Sequence, residues 1–372
     1  MTGGSAVVFG AGSIGRGLAG PLLTQAGMTP VFVEASAELR RRLAEAGGYC
    51  VQLTGRREEQ VAVSGYGVIA PEDFGALRSA LADCVFAVTA VGGAHLGSVA
   101  HALAQALPPD RSALPVLLCE NWPDAAGEMS DRLAQAGVGP DRVAFVPASV
   151  ERMVRPGEGL DLVGESCETL FADGSAWPGT PPAIAGLHFV DQLEPYYKRK
   201  LFTNNAGHAA LAYLGALNGC RRLVDALDVP AVASVLQCLL SAGAEGLHAS
   251  YGLERTELEQ HLHSLLTYRY PNRALVDTAA RVGRQPLRKL GPSERLTGLL
   301  RLLERHGIDG DPVHRTIAAA LHYFDEDDDE CVRMRAMIQG DGPGAVLEAV
   351  CGVRPDEPAY DAILRHYAEM RA

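Results

Sequence analysis

A glycine-rich turn directly after an apolar run constrains this chain more than any other feature. Residues 6–9 are apolar, and Gly10, Gly12 and Gly15 follow in the spacing GxGxxG. Residues 16–26 have a helical composition, so the order is strand, tight turn, helix. In this arrangement the first glycine makes the turn, the second lets the backbone approach a pyrophosphate, and the third lets the helix pack close to the strand. The order therefore predicts a dinucleotide-binding unit of the Rossmann type.

An acidic residue ends the second apolar run. Residues 30–33 are apolar, and Glu34 follows roughly 20 residues after the glycines, where a carboxylate can accept a hydrogen bond from a ribose 2′-hydroxyl. The same carboxylate repels a 2′-phosphate, so Glu34 favours NAD over NADP. Arg40, Arg41 and Arg42 argue in the other direction if they approach the ribose, although a solvated helix face is the simpler interpretation.

Three further apolar runs in the first half predict parallel strands with crossover helices between them. They are residues 85–91, residues 116–119 and residues 143–146, the last closed by Pro147. Open α/β sheets bind ligands at the carboxyl ends of their strands. The expected cofactor contacts are therefore the glycine turn, the acid and the residues that follow the later strands: Gly10, Ala11, Gly12, Ser13, Ile14, Gly15, Arg16, Glu34, Ala90, Val91, Gly92 and Asn121.

The second half of the chain has a different character from residue 186 onward. A Pro- and Gly-rich piece at residues 177–186 precedes long amphipathic stretches that predict helices. These stretches are residues 200–218, 229–250, 294–306 and 314–324. We therefore predict an α/β chain of two domains: a doubly wound, Rossmann-type sheet over residues 1–185 and a mainly α-helical domain over residues 186–372.

The charge and hydropathy of the chain exclude several classes of partner. The formal net charge is -12 over 372 residues, which argues against nucleic acid or an anionic membrane. No apolar stretch approaches the roughly 20 residues that a membrane span requires, and the first strand begins almost at the N-terminus. We expect a cytoplasmic protein, a monomer or small homo-oligomer, that acts on a small molecule.

The cysteines show no pattern of a metal site. The eight cysteines lie at positions 50, 84, 119, 167, 220, 238, 331 and 351, without a CxxC pair, and we expect them to be reduced and mostly buried. The motifs HExxH, GxSxG and GxxxxGK[ST] do not occur in the sequence. We therefore predict that no metal takes part and that a side chain handles the proton in any alcohol oxidation.

A lysine, an asparagine and a histidine lie at i, i+5 and i+8 in the second half. They are Lys200, Asn205 and His208, and in a helix of 3.6 residues per turn they fall within one broad arc of the same face. A lysine that accepts a proton near neutrality is the kind of base that alcohol oxidation requires, and the neighbouring Lys198 and Arg199 would help to lower its pKa. A merely solvated lysine and a buried core histidine are the alternative interpretation, which the residue types alone leave open.

Several short motifs occur in a fixed order along nearly the whole chain. They are residues 9–17, Thr89-Ala-Val-Gly92, Cys119-Glu-Asn121, Glu151-Arg152, Lys200-Leu-Phe-Thr203, Gly207-His-Ala209 and residues 281–290. With these motifs and with the pattern Lys-x4-Asn-x2-His, the chain resembles the polyol-specific long-chain dehydrogenase/reductase family.

The resemblance implies a reversible, metal-independent and NAD-dependent interconversion of a polyol, or a polyol phosphate, with its ketose. Mannitol 1-phosphate and fructose 6-phosphate are the expected pair. It implies that Lys200 is the general base in oxidation and the general acid in reduction. Asn121 and Asn205 would stabilise the developing negative charge on the substrate oxygen. His208 would orient the substrate by hydrogen bonding.

The resemblance also assigns substrate contacts to Glu151, Arg281 and Lys289. Arg281, Arg284, Arg288 and Lys289 form a cationic cluster that suits a phosphate group, because guanidinium groups bind phosphate through two parallel hydrogen bonds. A salt-bridge network of the same cations is the alternative.

Four positions depart from the pattern of the family. Lys198 stands where phosphate-using members often have a glutamate. We also expect Lys198 to contact the substrate. Asn204 replaces a hydrophobic residue, Ala206 replaces a threonine, and Glu151 replaces an aspartate. The same chemistry on an unphosphorylated polyol, a hexuronate or another anionic polyol therefore stays open, and a non-catalytic dinucleotide-binding sensor stays open as a different class of function.

Overall fold

The chain divides into two compact units, Met1–Tyr196 and Tyr197–Ala372. The structure is a computed structural model and describes residues 3–111, 113–122, 124–166 and 170–370. The division after residue 196 lies 11 residues beyond the predicted boundary at residue 185, because the strand Leu187–Val190 adds to the sheet of the first unit.

The first unit is built around a sheet of eight strands. The strands of this unit are β1 Gly4–Phe9, β2 Met28–Val33, β3 Gly48–Thr54, β4 Glu59–Ser64, β5 Gly67–Ile69, β6 Cys84–Thr89, β7 Leu114–Leu118, β8 Val143–Val150, β9 Val154–Pro156, β10 Leu162–Glu165, β11 Leu170–Asp173 and β12 Leu187–Val190. The large sheet has the order β12-β11-β8-β7-β6-β1-β2-β5, and only its β8 and β11 pair in antiparallel direction. The chain runs from β1 to β2 on one side and from β6 to β8 on the other. The strand order therefore reverses between β1 and β6, as in a doubly wound fold.

The structure places a strand at each apolar run of the first half, but β6 ends at Thr89 rather than at residue 91, and β7 ends at Leu118 rather than at residue 119. The run that Pro147 was expected to close continues as β8 to Val150. Pro147 still pairs with Leu118 of β7, and residues 148–150 then pair with β11. The strand continues past the proline because it changes its hydrogen-bonding partner there.

Helices cover both faces of the large sheet. They are α1 Gly20–Gln25, α2 Ala37–Ala46, α3 Phe74–Asp83, α4 Leu96–Ala106 and α5 Ala125–Gln135. Along β1, Val7 and Phe9 point into a core with α3, α4 and α5, whereas Ala6 and Val8 point into a core with α1 and α2. This alternation buries the strand on both sides, which explains its continuous apolar run.

A second sheet, of four strands, was not predicted from the sequence. Its order is β4-β3-β10-β9, and it joins residues 48–64 to residues 154–165. Val51, Val61 and Val63 of this sheet belong to the core that contains α1. The small sheet therefore extends the layer of helices on that face.

The second unit consists of helices. With α6, in which the division falls, they are α6 Glu194–Arg199, α7 Ala206–Leu217, α8 Leu223–Ala226, α9 Pro230–Tyr251, α10 Arg255–Ser264, α11 Ala279–Gly283, α12 Pro286–Lys289, α13 Thr297–Arg305, α14 Asp311–His322, α15 Asp329–Asp341, α16 Pro343–Val346 and α17 Pro358–Glu369. Three π-helical turns, Lys200–Asn205, Leu265–Arg269 and Leu347–Cys351, extend some of them. The prediction of a mainly helical second half is confirmed.

The helix α9, with 22 residues, is long and apolar enough, by length and composition, to cross a membrane, so the expectation that no apolar stretch approaches that length is wrong. It packs in the second unit with Leu236, Leu239, Leu240 and Leu247 buried, and a core helix of a folded domain passes the same test. The helix is therefore weak support for a membrane span.

Candidate functional site

The glycine turn after β1 has the geometry that its sequence predicts. Gly10 has a φ of +93°, and a Cβ atom there would lie 2.5 Å from the carbonyl oxygen of Ala90. A Cβ on Gly15 would lie 1.9 Å from the carbonyl oxygen of Gly10. A Cβ on Gly12 would meet nothing within 4 Å. Gly10 and Gly15 are thus required by the turn itself, whereas Gly12 leaves open space for an approaching phosphate.

Arg16 holds this turn from the side. Its Nε donates to the carbonyl oxygen of Ala11 at 2.6 Å, and its guanidinium also donates to the carbonyl oxygen of Leu160. Burial lowers the pKa of Arg16 below its usual range. A π-helical turn, Gly15–Ala19, precedes α1, so the predicted helix after the glycines is confirmed with a wider first turn.

Glu34 lies at the end of β2 and faces the glycine turn. Its Oε2 accepts from the amide nitrogen of Ala11 at 2.8 Å, and its Oε1 accepts from the amide nitrogen of Ser36 at 2.8 Å. Arg40 donates to the backbone oxygens of Glu34 and Ala35, at 2.7 and 2.8 Å. The expectation that Arg40 belongs to a solvated helix face is therefore wrong, because the carbonyls at the end of β2 attract its guanidinium. Arg41, by contrast, is exposed and pairs with acids of its own helix.

Glu120 organises the loop after β6. Its two carboxylate oxygens accept from the amide nitrogens of Val91 and Gly92, at 2.9 and 2.8 Å. Trp122 packs on Gly93, where a Cβ would lie 2.2 Å from its ring. Asn121 lies between these two residues and is exposed. The motif Cys-Glu-Asn was recognised in the sequence, but only its asparagine was assigned a role.

The sequence-predicted residues of the first unit lie along one edge of its large sheet. Gly10, Glu34 and Ala90 follow β1, β2 and β6, Asn121 follows β7, and Glu151 follows β8. Ala90 donates its amide hydrogen to Phe9, and Gly10 donates to Val33, so the ends of neighbouring strands stay in register. Glu151 is buried at this edge, with 5% of its surface exposed.

Lys200 and Asn205 lie on a π-helical turn rather than on an α-helix. The turn is Lys200–Asn205, and the amide nitrogen of Ala206 bonds to the carbonyl oxygen of Leu201, five residues earlier. The expected arc of an α-helix is therefore wrong here. An α-helix would separate residues i and i+5 by about 140° around its axis, whereas a π-helical turn, with its bonds between residues i and i+5, brings them closer to the same side. A short π-helical turn inside a helix is common at functional sites.

His208 follows one turn later on α7. Its Nδ1 lies 2.9 Å from the carbonyl oxygen of Asn204, and its ring packs edge-on against Tyr270 at 5.0 Å between centroids. Burial, and then the charge of Arg269, lower the pKa of His208 to about 3. At neutral pH the ring is therefore uncharged, and because Nδ1 faces a carbonyl oxygen, its proton lies on Nδ1 and Nε2 can accept a hydrogen bond.

The cations predicted to bind phosphate are partly paired with acids. Arg281 donates to Asp277 at 2.6 Å, and Arg288 lies 3.2 Å from Glu294. Arg284 is exposed and has no ion pair or hydrogen bond among the described residues. Both predicted interpretations of this cluster, the phosphate site and the salt-bridge network, thus keep some support.

Lys289 is the buried member of the cluster. Its Nζ donates to the carbonyl oxygen of Val282 at 2.6 Å, and 7% of its surface is exposed. Burial, and then the charges of Arg295 and Arg288, lower the pKa of Lys289 to about 7. A dianionic phosphate would counter both effects, since it would stabilise the protonated form.

The two cations that flank Lys200 are already engaged. The ammonium of Lys198 lies over the ring of Phe202 at 5.4 Å, and Arg199 donates to Glu257 at 2.6 Å. Arg199 is buried, with 3% of its surface exposed. Arg199 was expected to help to lower the pKa of Lys200. The carboxylate of Glu257 offsets the charge of Arg199, so this support for the expectation is smaller.

No metal site is formed within the described ranges. There, no group of three or more His, Cys, Asp and Glu side chains is placed to hold an ion. The seven described cysteines are all free thiols, and Cys84, Cys119, Cys331 and Cys351 are buried. Cys167 lies outside the described residues. That the chemistry needs no metal stays a prediction.

Two family profiles match consecutive parts of the chain. The mannitol dehydrogenase Rossmann domain matches residues 4–172, and the mannitol dehydrogenase C-terminal domain matches residues 192–356. The chain belongs to the mannitol dehydrogenase family. This membership confirms the prediction of a Rossmann-type domain followed by a helical domain, and the prediction of an oxidoreductase.

Members of the mannitol dehydrogenase family resemble the chain over its whole length. A mannitol-1-phosphate 5-dehydrogenase of Paenarthrobacter aurescens is 34% identical, with 99% of both chains covered. A protein of the same name from Bacillus subtilis is 32% identical, with 97% of this chain and 98% of that protein covered.

Two solved structures share the fold at low sequence identity. A mannitol 2-dehydrogenase of Pseudomonas fluorescens, solved with NAD and D-mannitol, superimposes with a TM-score of 0.73 at 18% identity, covering 100% of this chain and 92% of that one. A substrate-free D-sorbitol dehydrogenase gives a TM-score of 0.79 at 16% identity, covering 98% and 93%. At these identities the likeness shows the fold alone.

Proposed function

We propose that this chain is an NAD-dependent polyol phosphate dehydrogenase that interconverts mannitol 1-phosphate and fructose 6-phosphate. The observation that carries the proposal is the π-helical turn that contains both Lys200 and Asn205, in a chain whose full-length relatives are named mannitol-1-phosphate 5-dehydrogenase. The turn pairs a group that can exchange a proton with an amide that can hold an oxygen atom.

The glycine turn fits a dinucleotide. Gly12 leaves open space beside the backbone, and Gly10 and Gly15 allow the close contacts that the turn needs. Glu34, which lies at the end of β2, can offer its remaining lone pairs to ribose hydroxyls and would repel a 2′-phosphate. We therefore assign NAD as the cofactor, with the residues from Gly10 to Arg16, Glu34 and the loop from Ala90 to Gly92 as its contacts.

The side chains of this chain supply the acid–base chemistry. When bound, the nicotinamide accepts a hydride in oxidation and donates it in reduction. Lys200 takes the hydroxyl proton of the polyol in oxidation and returns it to the ketose oxygen in reduction. Asn121 and Asn205 donate hydrogen bonds to that oxygen as negative charge develops on it. Neutral His208 orients a substrate hydroxyl, which donates to Nε2.

The phosphate group would bind to the cations of the second unit. Arg284 supports this assignment most directly, because it is exposed and has no partner among the described residues. Arg281 and Arg288 would exchange part of their ion pairs for the phosphate, and buried Lys289 would be held in its charged form. We assign Lys198 and Glu151 to the sugar hydroxyls and the charge around them.

An unphosphorylated polyol or a sugar acid is the second candidate substrate. The observation in its favour is the pairing of Arg281 with Asp277 and of Arg288 with Glu294, which leaves less positive charge for a phosphate. A non-catalytic sensor is the alternative of another class, and it would bind NADH without consuming it with any sugar.

The rate of NADH oxidation with fructose 6-phosphate and with free fructose tests the proposal. We expect a preference for the phosphate ester of at least about a hundredfold in kcat/KM, as expected for one ionic contact of about 3 kcal/mol. The variant Arg284→Ala should lose most of this preference, whereas Arg305→Ala, which changes another exposed arginine, on α13, should keep it. Equal rates with both sugars would overturn the assignment of these cations to a phosphate group. No measurable rate with either sugar would overturn the proposed substrate pair.

The proposal also covers the location of the protein in the cell and its oligomeric state. We expect a cytoplasmic monomer or small homo-oligomer that uses small molecules and binds neither nucleic acid nor membranes, because its net charge is -12.

A further inference from the structure

Two pairs of side chains join the π-helical turn to α10. Arg199 and Thr203 lie four residues apart before and within the turn, and Glu257 and His261 lie four residues apart on one face of α10. Arg199 donates to Glu257 at 2.6 Å, and Thr203 Oγ1 lies 2.9 Å from His261 Nε2. Thr203 is fully buried, so water does not compete for its hydroxyl.

The hydroxyl of Thr203 donates to the carbonyl oxygen of the residue that precedes the turn. In an α-helix the amide nitrogen of residue 203 would bond to the carbonyl oxygen of Arg199, four residues earlier. In this turn the partners shift to five residues, as in the bond from Ala206 to Leu201, and Thr203 Oγ1 donates to the carbonyl oxygen of Arg199 at 2.6 Å. The side chain thus binds the carbonyl oxygen that the amide of Thr203 would use in an α-helix, and a hydroxyl bond of this kind competes with the α-helical pattern.

The same bond determines the direction of the contact with His261. A threonine hydroxyl has one hydrogen to donate, and Thr203 gives it to Arg199. Thr203 Oγ1 must therefore accept from His261, so Nε2 of His261 carries a hydrogen. Val at position 203 would remove both interactions at nearly constant shape, whereas Ser would keep both.

We propose that Thr203 and His261 are positioning residues that hold the turn Lys200–Asn205 in its π-helical form. This inference rests on the proposed roles of Lys200 and Asn205. If the turn relaxed to an α-helix, Lys200 and Asn205 would lie about 140° apart around the helix axis, since each residue then advances about 100°. Lys200 and Asn205 would then no longer reach the same substrate oxygen. The rate of the chemical step, and with it kcat, would fall.

The test compares isosteric variants of both partners with a matched control. Thr203→Val and His261→Leu remove the interaction. Thr203→Ser keeps the hydroxyl, and His261→Gln keeps an N–H donor at a similar reach. Thr267→Val removes a similar but exposed contact, 3.4 Å between Thr267 and His263, in the next part of the same helix. For each variant we would measure kcat and KM with fructose 6-phosphate, the Kd of NADH and the near-UV circular dichroism spectrum.

We expect Thr203→Val and His261→Leu to lower kcat by at least about tenfold, with KM and the Kd of NADH changed by less than about threefold. Thr203→Ser, His261→Gln and Thr267→Val should stay within about threefold of the wild type. The double variant should be no worse than Thr203→Val alone, because Thr203→Val already removes the contact that His261→Leu removes. A crystal structure of Thr203→Val should show the amide of Ala206 bonded to Phe202 instead of Leu201.

Three results would overturn the inference: unchanged kcat in both variants, a Thr203→Val structure that keeps the bond from Ala206 to Leu201, or no recovery with Thr203→Ser. If Thr203→Val does not fold, His261→Leu decides the question by the same measurements. Full activity of Lys200→Ala would refute the proposed function, and the structure of Thr203→Val would still decide the inference about the turn.

Discussion

The amide nitrogen of Ala11 donates a hydrogen bond to Oε2 of Glu34 at 2.8 Å. One carboxylate therefore joins the glycine turn after β1 to the end of β2, and its second oxygen caps the amide nitrogen of Ser36 before α2. Arg40 lies at the carbonyl oxygen of the same glutamate, so a positive charge is held beside the acid that is expected to bind the ribose.

Replacement of Glu34 should change the preference between the two dinucleotides. In Glu34→Ala the repulsion of a 2′-phosphate disappears and Arg40 remains close to it, so kcat/KM with NADPH relative to NADH should rise by at least about tenfold, the equivalent of about 1.4 kcal/mol. Glu34→Gln, which removes the charge and keeps one acceptor oxygen, should lie between the two. An unchanged preference in Glu34→Ala would mean that the acid does not meet the ribose.

Substitution of Gly15 should lower the stability of the protein, whereas substitution of Gly12 should weaken cofactor binding. Gly15→Ala places a methyl group against the backbone of Gly10 and should destabilise the protein by about 1–3 kcal/mol, as overpacking does. Gly12→Ala meets nothing within 4 Å and should leave the melting temperature unchanged while it weakens NADH binding by at least about tenfold. Thermal denaturation and fluorescence titration of NADH measure the two effects. Tight NADH binding by Gly12→Ala would place the pyrophosphate elsewhere.

Lys289 should make the stability of the protein depend on pH above neutrality. Burial lowers the pKa of Lys289 to about 7, against 10.5 for a solvated lysine. Between these values the unfolded state holds a proton that the folded state has released, so this lysine makes the free energy of unfolding rise as the pH increases from about 7 to about 10.5. Denaturant unfolding of the wild type and of Lys289→Met should show the rise in the wild type and a flatter profile in the variant. Identical slopes would contradict the shifted pKa.

The side chain of Asn204 should lower the free energy of unfolding of the protein. Its Oδ1 is buried and has no hydrogen-bond partner among the described residues, and 2% of the residue is exposed. Asn204→Leu removes a buried amide oxygen that has no partner among the described residues and should stabilise the protein by about 1–3 kcal/mol. Asn204→Asp places a charge at the same site and should destabilise it. Equal melting temperatures for the Leu variant and the wild type would show that the amide oxygen is satisfied in solution.

The local features of the fold could be predicted from the sequence. The turn from Gly10 to Gly15 is determined by residues that contact one another along the chain, and the strands around it are read from short apolar runs. The small sheet could not be predicted in this way, because β3 pairs with β10, more than a hundred residues later. The continuation of β8 past Pro147 likewise depends on a distant partner, β11.

The candidate site was predicted by residue type more than by geometry. The sequence pointed to Lys200, Asn205 and His208, but an apolar helix gives no local signal that one turn is π-helical. The side chains that contact this turn, His261 of α10 and Tyr270, lie about 60 residues away in the sequence. Glu120 could have been found, since it stands beside Asn121 in a motif that was already recognised.

The activity of Lys200→Ala tests the central claim most directly. The variant should lose nearly all turnover with fructose 6-phosphate, by at least about a hundredfold in kcat, because the ketose oxygen no longer receives its proton from a positioned side chain. Its Kd for NADH should match that of the wild type, since the glycine turn and Glu34 are unchanged. Turnover close to that of the wild type would contradict the account and remove Lys200 from the chemistry.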